Sequence, residues 1–556
     1  MKTLLSLVLS GLAFAVINLT NLYAQSPGDT IGYTEYVYQC NGSTGRRVVL
    51  DNSGGLHFTW MWSDNYGITR NVRYNCFGPD FPSPWPRQGI SIGPAGSGYP
   101  QISVTNDSRA IAVYHRAPLS AETLFVATDI FQCQGTFFGH RVPNRFGTNP
   151  VNRLLWPYLT VDRNNRIHLV ATATTTGMNY TYEPMGYTRS NNGGTTWTAI
   201  APVDTSRVIS VIVVSSKVSD KVAILYCHSK AGDTTSLRND IYYIESPDGI
   251  TWNNFADKVN ITNYGPNSDS LYAWKEVSAV YDFDDNLHVI WNAQYVTNTS
   301  SPHFVIPGAH LAHWDHSSNT ISYFADFPPS WPNSGCFMGL NNFVFAQSSI
   351  AVDSANQLYV AYTSWDSTDC SLNGVANGDI YVQHSFDGGS TWSAKENLTN
   401  SHYPGCMTGD CFSDVFPSLA EVANNYVHLF YVCDADPQND IIEPMAFSTV
   451  LYLAIPAGPQ NATENLPLPA GYSLSQNYPN PFNAQTIIKY NLPEKAFISL
   501  SIYDLLGRKI TTLYNGISQP GEFEINWNAS AYPSGVYFAR LEIGKKSQSI
   551  RMMLLK

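Results

Sequence analysis

The chain has 556 residues, a formal net charge of −12, and equal shares of charged and aromatic residues at 13% each. This length exceeds what one compact core usually holds, so two or more domains are expected. The acidic balance leaves no basic stripe that could neutralise phosphates, which argues against a nucleic-acid partner.

Residues 1–24 have the pattern of a secretory signal peptide. Lys2 supplies a positive start, Leu4 to Ile17 form an apolar run, and Ala24 offers a cleavage site before Gln25. The alternative is a membrane anchor, but the run is short for a span and no stop-transfer charges follow it. No other segment is long and apolar enough to cross a membrane, so we expect a mature chain without a transmembrane segment.

A hairpin pattern recurs through the central region. Each copy has an apolar strand, a polar turn carrying Asp, Asn or Gly, and a second apolar strand. The seven copies are Val48 to Trp60, Gln101 to Tyr114, Tyr158 to Ala171, Ser210 to Tyr226, Val277 to Trp291, Ser349 to Tyr362, and Ser418 to Tyr431. They start roughly 50 to 70 residues apart, a spacing typical of four-stranded propeller blades with long loops.

A second motif, of the form Ser-x-Asp-x-Gly-x-Thr-Trp, falls between the hairpins. Its residues are Ser190, Asn192, Gly194 and Trp197 in one copy, Ser246, Asp248 and Trp252 in a shorter copy, and Ser385, Asp387, Gly389 and Trp392 in a third. The short Asp or Asn accepts hydrogen bonds from turn amides, and Trp inserts apolar area between blades. The motif resembles the Asp-box, or bacterial neuraminidase repeat, of sialidase-like β-propellers. The resemblance implies structural residues on the side away from the binding face.

These repeats predict an all-β fold in which residues 25–454 form a β-propeller. Seven hairpins favour seven blades, with six as the alternative. The alternating segment Gly32 to Cys40 is expected to complete the last blade and close the ring, which removes free sheet edges.

The C-terminal part separates into a Pro-rich linker at 455–471 and a compact module at 472–556. The module carries ordered motifs that include Tyr478, Pro479, Asn480, Pro481, Phe482, Gly507, Arg508, Gly535 and Tyr537. It closely resembles the type A C-terminal sorting domain of the type IX secretion system. The resemblance implies the secretion machinery as a partner and a secreted or surface-attached location. Its alternating strands suit a small immunoglobulin-like β-sandwich, and an ordinary accessory module of that fold is the alternative.

The repeats raise the question of sialidase activity, which in that family requires three arginines that clamp the substrate carboxylate. The nearest match to the first arginine motif, Arg141-Val142-Pro143, comes late in the chain. No arginine occurs between Arg238 and Arg508, so the later half of the propeller cannot supply the other two. A glycoside hydrolase without this triad remains an alternative.

A propeller ligand usually sits at the mouth of the central channel, which is lined by loops before the first strand and after the second strand of each blade. This geometry selects nine candidate ligand-binding residues, namely His115, Arg116, Trp156, Trp274, Lys275, Glu276, Tyr295, Trp365 and Asp366. Aromatic side chains beside polar groups suit the faces and edges of sugars. Packing between blades is the alternative role for each aromatic residue.

Cofactors are not predicted, apart from a candidate Ca²⁺ site. Asp434, Asp436 and Asp440 offer several oxygen atoms in one short loop, although a plain Asx-rich turn also explains them. The nine cysteines meet an oxidising compartment after export, and Cys406 and Cys411 are close enough to clip one loop. An odd count leaves at least one thiol without an internal partner.

Three functions are compatible with these features. The first is a surface or secreted module that binds glycan or protein without catalysis. The second is a glycoside hydrolase that does not use the arginine triad. The third is a structural component of the cell surface, for which an unpaired cysteine would be a hint.

Overall fold

The computed structural model describes most of the chain. The described ranges are 26–64, 70–78, 88–116, 123–143, 152–175, 183–233, 236–265, 271–295, 309–326, 335–337, 345–437, 446–458, 473–492, 496–504, 508–518, 521–543 and 546–556. The chain divides into two compact units, Met1–Gly458 and Pro459–Lys556. The predicted signal peptide, most of the predicted linker, Asp440 and Gly507 lie outside the described residues.

The described part of the first unit contains β-strands and one 3₁₀ turn, Asn253–Phe255. The strands are β1 Asp29–Thr34, β2 Val48–Leu50, β3 Leu56–Trp62, β4 Asn71–Phe77, β5 Ile90–Ser91, β6 Ser97–Val104, β7 Ala110–Arg116, β8 Thr123–Asp129, β9 Phe137–Val142, β10 Asn152–Val161, β11 Ile167–Thr175, β12 Glu183–Ser190, β13 Ala201–Ser206, β14 Ile212–Ser215, β15 Val222–Ser229, β16 Asn239–Ser246, β17 Val259–Asn260, β18 Leu271–Tyr281, β19 Leu287–Tyr295, β20 His310–Asp315, β21 Thr320–Phe324, β22 Phe345–Asp353, β23 Leu358–Cys370, β24 Ala376–Ser385, β25 Glu396–Asn397, β26 Ser413–Leu419, β27 Val422–Ala423, β28 Tyr426–Asp434 and β29 Ser448–Pro456.

These strands form antiparallel four-stranded groups that follow one another along the chain. The groups are β2–β5, β6–β9, β10–β13, β14–β17, β18–β21, β22–β25, and finally β26, β28, β29 and β1. A single pairing of Asn239 with Ala273 joins the fourth and fifth groups into one sheet, and the short strand β27 pairs in parallel with β22. The first two strands of every group coincide with a predicted hairpin. The first strands of successive groups contact one another and therefore surround the central channel. The prediction of a β-propeller is confirmed, and the number of blades stays a prediction.

The ring closes through the pairing of β1 with β29, in which Asp29 lies opposite Tyr452. The predicted closing strand, Gly32 to Cys40, is wrong at its C-terminal end because β1 stops at Thr34. From that point the chain turns away from the sheet and enters the channel.

The strands near the channel are buried on both faces because each blade is covered by its two neighbours. Six of the seven residues of β3, with the sequence Leu-His-Phe-Thr-Trp-Met-Trp, are buried. Buried histidines in second strands hydrogen-bond to the carboxylates of the preceding turns. The pairs are His57 with Asp51 at 2.9 Å, His168 with Asp162 at 3.0 Å and His288 with Asp282 at 3.3 Å.

The second unit is a β-sandwich. Its strands are β30 Ser473–Leu474, β31 Gln485–Leu492, β32 Ala496–Asp504, β33 Lys509–Ser518, β34 Gly521–Asn528, β35 Gly535–Ile543 and β36 Lys546–Leu554. One sheet has the order β30-β31-β34 and the other β33-β32-β35-β36. Side chains from both sheets, such as Ile488 and Leu500, share one core, which confirms the predicted sandwich. In the Pro-rich sorting motif, Phe482 enters this core while Tyr478 is exposed.

Three disulfides lie within the first unit, Cys76–Cys133, Cys336–Cys370 and Cys406–Cys411. The last is the loop clip that the sequence predicted. Cys40, Cys227 and Cys433 are free thiols, and all three are buried. Among the described residues there is no helix with the length and apolar character that a membrane span requires.

Candidate functional site

The predicted binding face is the channel mouth, where the first strands begin and the second strands end. Four first strands start with a β-bulge whose residue has a left-handed backbone: Tyr99 (φ 52°), Trp156 (φ 49°), Gln347 (φ 61°) and Phe416 (φ 56°). Each such non-glycine residue costs about 1–3 kcal/mol and persists only where its surroundings fix it. The mouth is therefore a strained and specifically held ring.

The segment 35–47, which we call the plug, runs from this mouth into the channel. Ser43 donates to the carbonyl oxygen of Ser210 at 3.3 Å, accepts from the amide of Val277 at 3.1 Å, and its carbonyl accepts from the Tyr158 hydroxyl. Gly42 is required here, because a Cβ at this position would lie 1.7 Å from the carbonyl oxygen of Ile209. The plug thus touches first strands on several sides of the channel.

Arg46 anchors the deeper end of the plug. Its guanidinium donates to the carbonyl oxygens of Ile350 at 2.8 Å, Leu419 at 2.9 Å and Ala279 at 3.1 Å. These acceptors belong to β22, β26 and β18, so one side chain joins three blades. Burial lowers the pKa of Arg46.

The far end of the channel is crossed by an ion pair. The Lys217 ammonium lies 2.9 Å from a carboxylate oxygen of Glu421. Lys217 follows β14 and Glu421 follows β26, and both sit at the ends of first strands opposite the mouth. The plug and this pair therefore place the protein's own groups in the mouth half and at the far end of the channel.

Several predicted site residues hold the bulges in place. The amide of Trp156 donates to Nδ1 of His115 at 3.3 Å, and the amide of Gln347 donates to Glu276 at 2.5 Å. The side-chain oxygen of Gln347 in turn accepts from the amide of Phe416 at 2.6 Å. In each case a side chain of one blade fixes the bulge of the next, which is a structural use of these polar groups.

The electrostatics of the mouth reflect this enclosure. Burial raises the pKa of Glu276 to about 7 and lowers the pKa of Lys275, while burial and the nearby Arg70 lower the pKa of His115 to about 3. Cys40 of the plug lies within the electrostatic influence of both Glu276 and Lys275, and burial raises its pKa to about 12. The structure therefore brings together Lys275, Glu276 and the plug, with Glu276 and Cys40 buried and Lys275 half-buried.

The remaining predicted ligand-binding residues are dispersed. Trp274 and Trp365 are buried, at 7% and 4% exposure, and do not offer open aromatic faces. Tyr295 is 38% exposed, and Asp366 is exposed and accepts from the Thr368 amide at 2.8 Å. Arg116 donates to the carbonyl oxygen of Ala95 at 3.3 Å.

In the described part of the acidic loop proposed for Ca²⁺, Asp434 and Asp436 accept hydrogen bonds from other groups of the protein. Asp434 accepts from the amide of Asp436 at 3.0 Å and from the Ser448 hydroxyl at 3.2 Å, and Asp436 accepts from the Thr408 hydroxyl at 2.9 Å. Burial raises the pKa of Asp434 to about 6. These contacts fit the alternative of an Asx-rich turn, and the Ca²⁺ site stays a prediction.

The Ser-x-Asp-x-Gly-x-Thr-Trp turns are closed by their own side chains. Asp387 accepts from the Ser385 hydroxyl at 2.8 Å and from the amide and hydroxyl of Thr391 at 2.8 and 2.7 Å. In the second copy, hydrogen bonds, led by those from the Thr251 and Ile250 amides, lower the pKa of Asp248. These contacts close the turns, and the structural role that the resemblance implies stays a prediction.

The sequence did not single out Glu183, at the mouth end of β12. Its side chain is 5% exposed, one carboxyl oxygen has no hydrogen-bond partner among the described residues, and burial raises its pKa to about 7. The strand alternation could have placed Glu183 at the mouth, but nothing in the sequence signalled its burial.

A second feature missed from sequence is an open cleft of about 550 Å³ on the rim, which we call the rim cleft. It is lined by Tyr33, Trp62, Asp64, Arg73, Gln88 and Phe447. Tyr33 lies in β1 and Phe447 just before β29, whereas Trp62 and Arg73 lie in β3 and β4. The rim cleft is therefore at the seam where the last blade meets the first. Trp62 ends a second strand, the same position that selected the other mouth candidates.

Comparison with known proteins identifies the C-terminal module. Residues 476–555 match the family model described as the secretion system C-terminal sorting domain, which confirms the predicted sorting domain, while its assignment to type A stays a prediction. The match supports export and a location at the outer surface or outside the cell. The comparison with curated proteins gives no match.

Solved structures with a similar arrangement include PorZ, a surface component of the type IX secretion system of Porphyromonas gingivalis, with 15% identity and a TM-score of 0.34. That alignment covers 93% of this chain and 60% of PorZ. An α-L-arabinanase of Penicillium chrysogenum is 9% identical, with a TM-score of 0.40 and coverage of 65% of this chain and 93% of the arabinanase. The polysaccharide lyase Uly1 is 9% identical, with a TM-score of 0.41 and coverage of 76% and 92%.

Proposed function

We propose that the exported propeller is a recognition module that binds a glycan or a protein ligand outside the cell without catalysing a reaction. The observation that carries this proposal is the plug, together with the use of the mouth side chains to bind backbone amides. The polar side chains of the mouth, His115, Glu276 and Gln347, fix backbone amides of neighbouring blades. A group committed to the backbone in this way is poorly placed to exchange protons with a substrate.

Recognition then falls to the surface around the plug rather than to the channel interior. The predicted Asp-box turns are not candidates for ligand binding, because their side chains are used to close the turns. The sorting domain at 476–555 explains how such a module reaches the outside of the cell.

A glycoside hydrolase is the second candidate, and one observation favours it. Glu183 is a buried carboxyl with a pKa of about 7, a value suited to a general acid near neutral pH. Glycoside hydrolysis by the usual route needs a second carboxyl group within roughly 5 to 10 Å. Burial alone accounts for the raised pKa of Glu183, so no neighbouring carboxylate is shown to act on it.

The third candidate, a structural component of the cell surface, would gain support from thiols that could cross-link copies. Cys40, Cys227 and Cys433 are buried in the folded unit. Cross-linking through them would require local unfolding, so these three thiols do not add to the case for assembly.

The test is an array of polysaccharides and oligosaccharides probed with the full mature chain, with sugar release measured in parallel on every glycan that binds. Binding without release supports the recognition module. Release that disappears in Glu183→Gln, with binding retained, would instead establish the hydrolase. An array with neither binding nor release would remove the glycan ligand and leave a protein ligand to be sought by cross-linking on intact cells.

A further inference from the structure

We propose that the rim cleft is the ligand site of this module and that it binds a neutral, hydroxyl-rich saccharide. This inference rests on the proposed function and adds a place and a ligand class to it. Its volume of about 550 Å³ is within the usual range of roughly 300 to 1,000 Å³ for small-ligand sites.

The aromatic lining of the rim cleft supplies the apolar half of sugar recognition. Phe447 is 57% exposed, and Tyr33 and Trp62 are half-buried. A large exposed aromatic ring gains free energy when a ligand covers it. The C–H face of a sugar ring provides such a cover without leaving its hydroxyl groups unpaired.

Arg73 supplies a fixed set of donors. Its guanidinium lies 4.2 Å from the centroid of the Trp62 ring, and one terminal nitrogen donates to the carbonyl oxygen of Gly89 at 3.5 Å. Stacking on the indole limits the motion of this side chain, so less conformational entropy is lost when a ligand binds. The planar fork can donate to two adjacent hydroxyl oxygens.

Asp64 and Gln88 supply acceptors and a further donor, and both side chains are exposed. Neighbouring sugar hydroxyls each donate and accept, which matches a cleft that holds a guanidinium, a carboxylate and an amide. Burial lowers the pKa of Arg73, and the negative charge of Asp64 opposes that shift. Because the two charges offset each other, a neutral sugar fits this site better than a uronate or a sulfated sugar.

The position of the rim cleft predicts a second effect of binding. Its walls come from β1 and the residue before β29 on one side, and from β3, β4 and the residues that flank them on the other. A ligand that contacts both sides stabilises the closed ring, since a ligand of the folded state shifts the unfolding equilibrium by mass action. We therefore expect binding to raise the melting temperature of the full mature chain.

The experiment compares three variants with the wild-type mature chain on the same glycan array and by titration of the best ligand. Phe447→Ala removes the exposed ring, Arg73→Lys keeps the charge but removes the fork, and Phe131→Ala is the matched control. Phe131 is 66% exposed and does not line the rim cleft. We expect at least about tenfold weaker binding for the first two variants and unchanged binding for the control.

Different results would overturn the rim cleft as the binding site and glycan recognition as the function. Wild-type affinity in both cleft variants would overturn the rim cleft as the site while the recognition function stands. Preferential binding of uronates or sulfated sugars, lost in the same variants, would overturn the neutral ligand class. The absence of any glycan binding by the wild type would overturn both the inference and its glycan premise.

Discussion

The guanidinium of Arg46 donates a 2.8 Å hydrogen bond to the carbonyl oxygen of Ile350, more than half a chain length away in sequence from the residue that donates it. Two further bonds, to Leu419 and Ala279, make Arg46 a link between three blades. The plug is therefore part of the propeller core rather than a passing loop.

Replacement of this arginine should be costly. We expect Arg46→Met to lower the free energy of unfolding by about 3 kcal/mol or more, because three buried carbonyl acceptors lose a charged donor. Urea unfolding followed by tryptophan fluorescence measures the change. The control is Arg116→Met, which removes a single bond to Ala95 from a half-buried side chain and should cost less than about 1 kcal/mol. Equal losses in the two variants would show that the plug does not contribute to the core.

Gly42 gives a second test of the plug. Gly42→Ala places a methyl group against the carbonyl oxygen of Ile209, in a backbone with φ +102°. We expect a loss of more than about 3 kcal/mol in unfolding free energy. Gly388→Ala is the matched control, since its φ is +68° and a Cβ there meets nothing within 4 Å; its cost should be about 1 kcal/mol. A Gly42 variant as stable as the Gly388 variant would contradict the packed plug.

Asp414 predicts how stability depends on pH. Its carboxyl is fully buried, and the hydroxyl of Ser401 lies 2.7 Å from Asp414 and 2.8 Å from Asp379. One hydroxyl proton cannot serve two carboxylates, which favours the protonated form of one of them. Burial, opposed in part by hydrogen bonds from Ser26 and Ser401, raises the pKa of Asp414 from 3.8 to about 7.

The number of protons bound by the folded and the unfolded chain decides whether the free energy of unfolding rises or falls with pH. Between pH 4 and 7 the unfolded chain has lost the Asp414 proton and the folded chain has kept it, so stability falls as pH rises. Asp414 contributes at most about 1.4 kcal/mol per pH unit to this loss. Glu183, Glu276 and Asp434 also have raised pKa values and add to the same trend. We therefore expect Asp414→Asn to reduce the slope of this part of the profile in urea titrations from pH 4 to 8, whereas Asp366→Asn, at an exposed position, should leave the slope unchanged. A profile for Asp414→Asn that parallels the wild type would refute the assignment.

The disulfides should contribute unequally. Cys76–Cys133 closes a span of 57 residues and Cys406–Cys411 a span of 5. If disulfides act by lowering the entropy of the unfolded chain, removal of Cys76–Cys133 lowers the free energy of unfolding by about 4 kcal/mol and removal of Cys406–Cys411 lowers it by about 2 kcal/mol. Double Cys→Ala variants at each pair, compared by thermal and urea unfolding, test the order. A larger loss of stability on removal of Cys406–Cys411 than on removal of Cys76–Cys133 would contradict this prediction.

The sequence predicted those elements whose signal is local. Alternation in segments such as Leu159 to Val170 identified the hairpins, and the motif around Tyr478 identified the sorting module. The sequence also contains a repeated six-residue spacing between an Asp and a His, as in Asp51 and His57. In the structure these pairs form the buried contacts of the turns at the end opposite the mouth.

The plug and the rim cleft could not be found in this way, because they depend on contacts between residues far apart in the chain. Nothing near Arg46 in sequence indicates that its acceptors lie in β18, β22 and β26. The cleft joins Tyr33 to Phe447 across the ring closure. The burial of Trp274 and Trp365 likewise depends on neighbouring blades. Their positions at the ends of strands, from which we selected them as ligand-binding candidates, do not reveal this burial.

The pairing of β1 with β29 also sets an order of events during folding. Synthesis begins at the N-terminus, and β1 pairs with β29, in which Tyr452 lies opposite Asp29. The first strand therefore stays unpaired until nearly all of the first unit has been synthesised. Contacts of such long sequence separation form slowly, and unpaired strand edges invite aggregation in the meantime. A fragment without β1 leaves the edge of β29 unpaired, and a fragment without β29 leaves both β28 and β1 without a partner on that side.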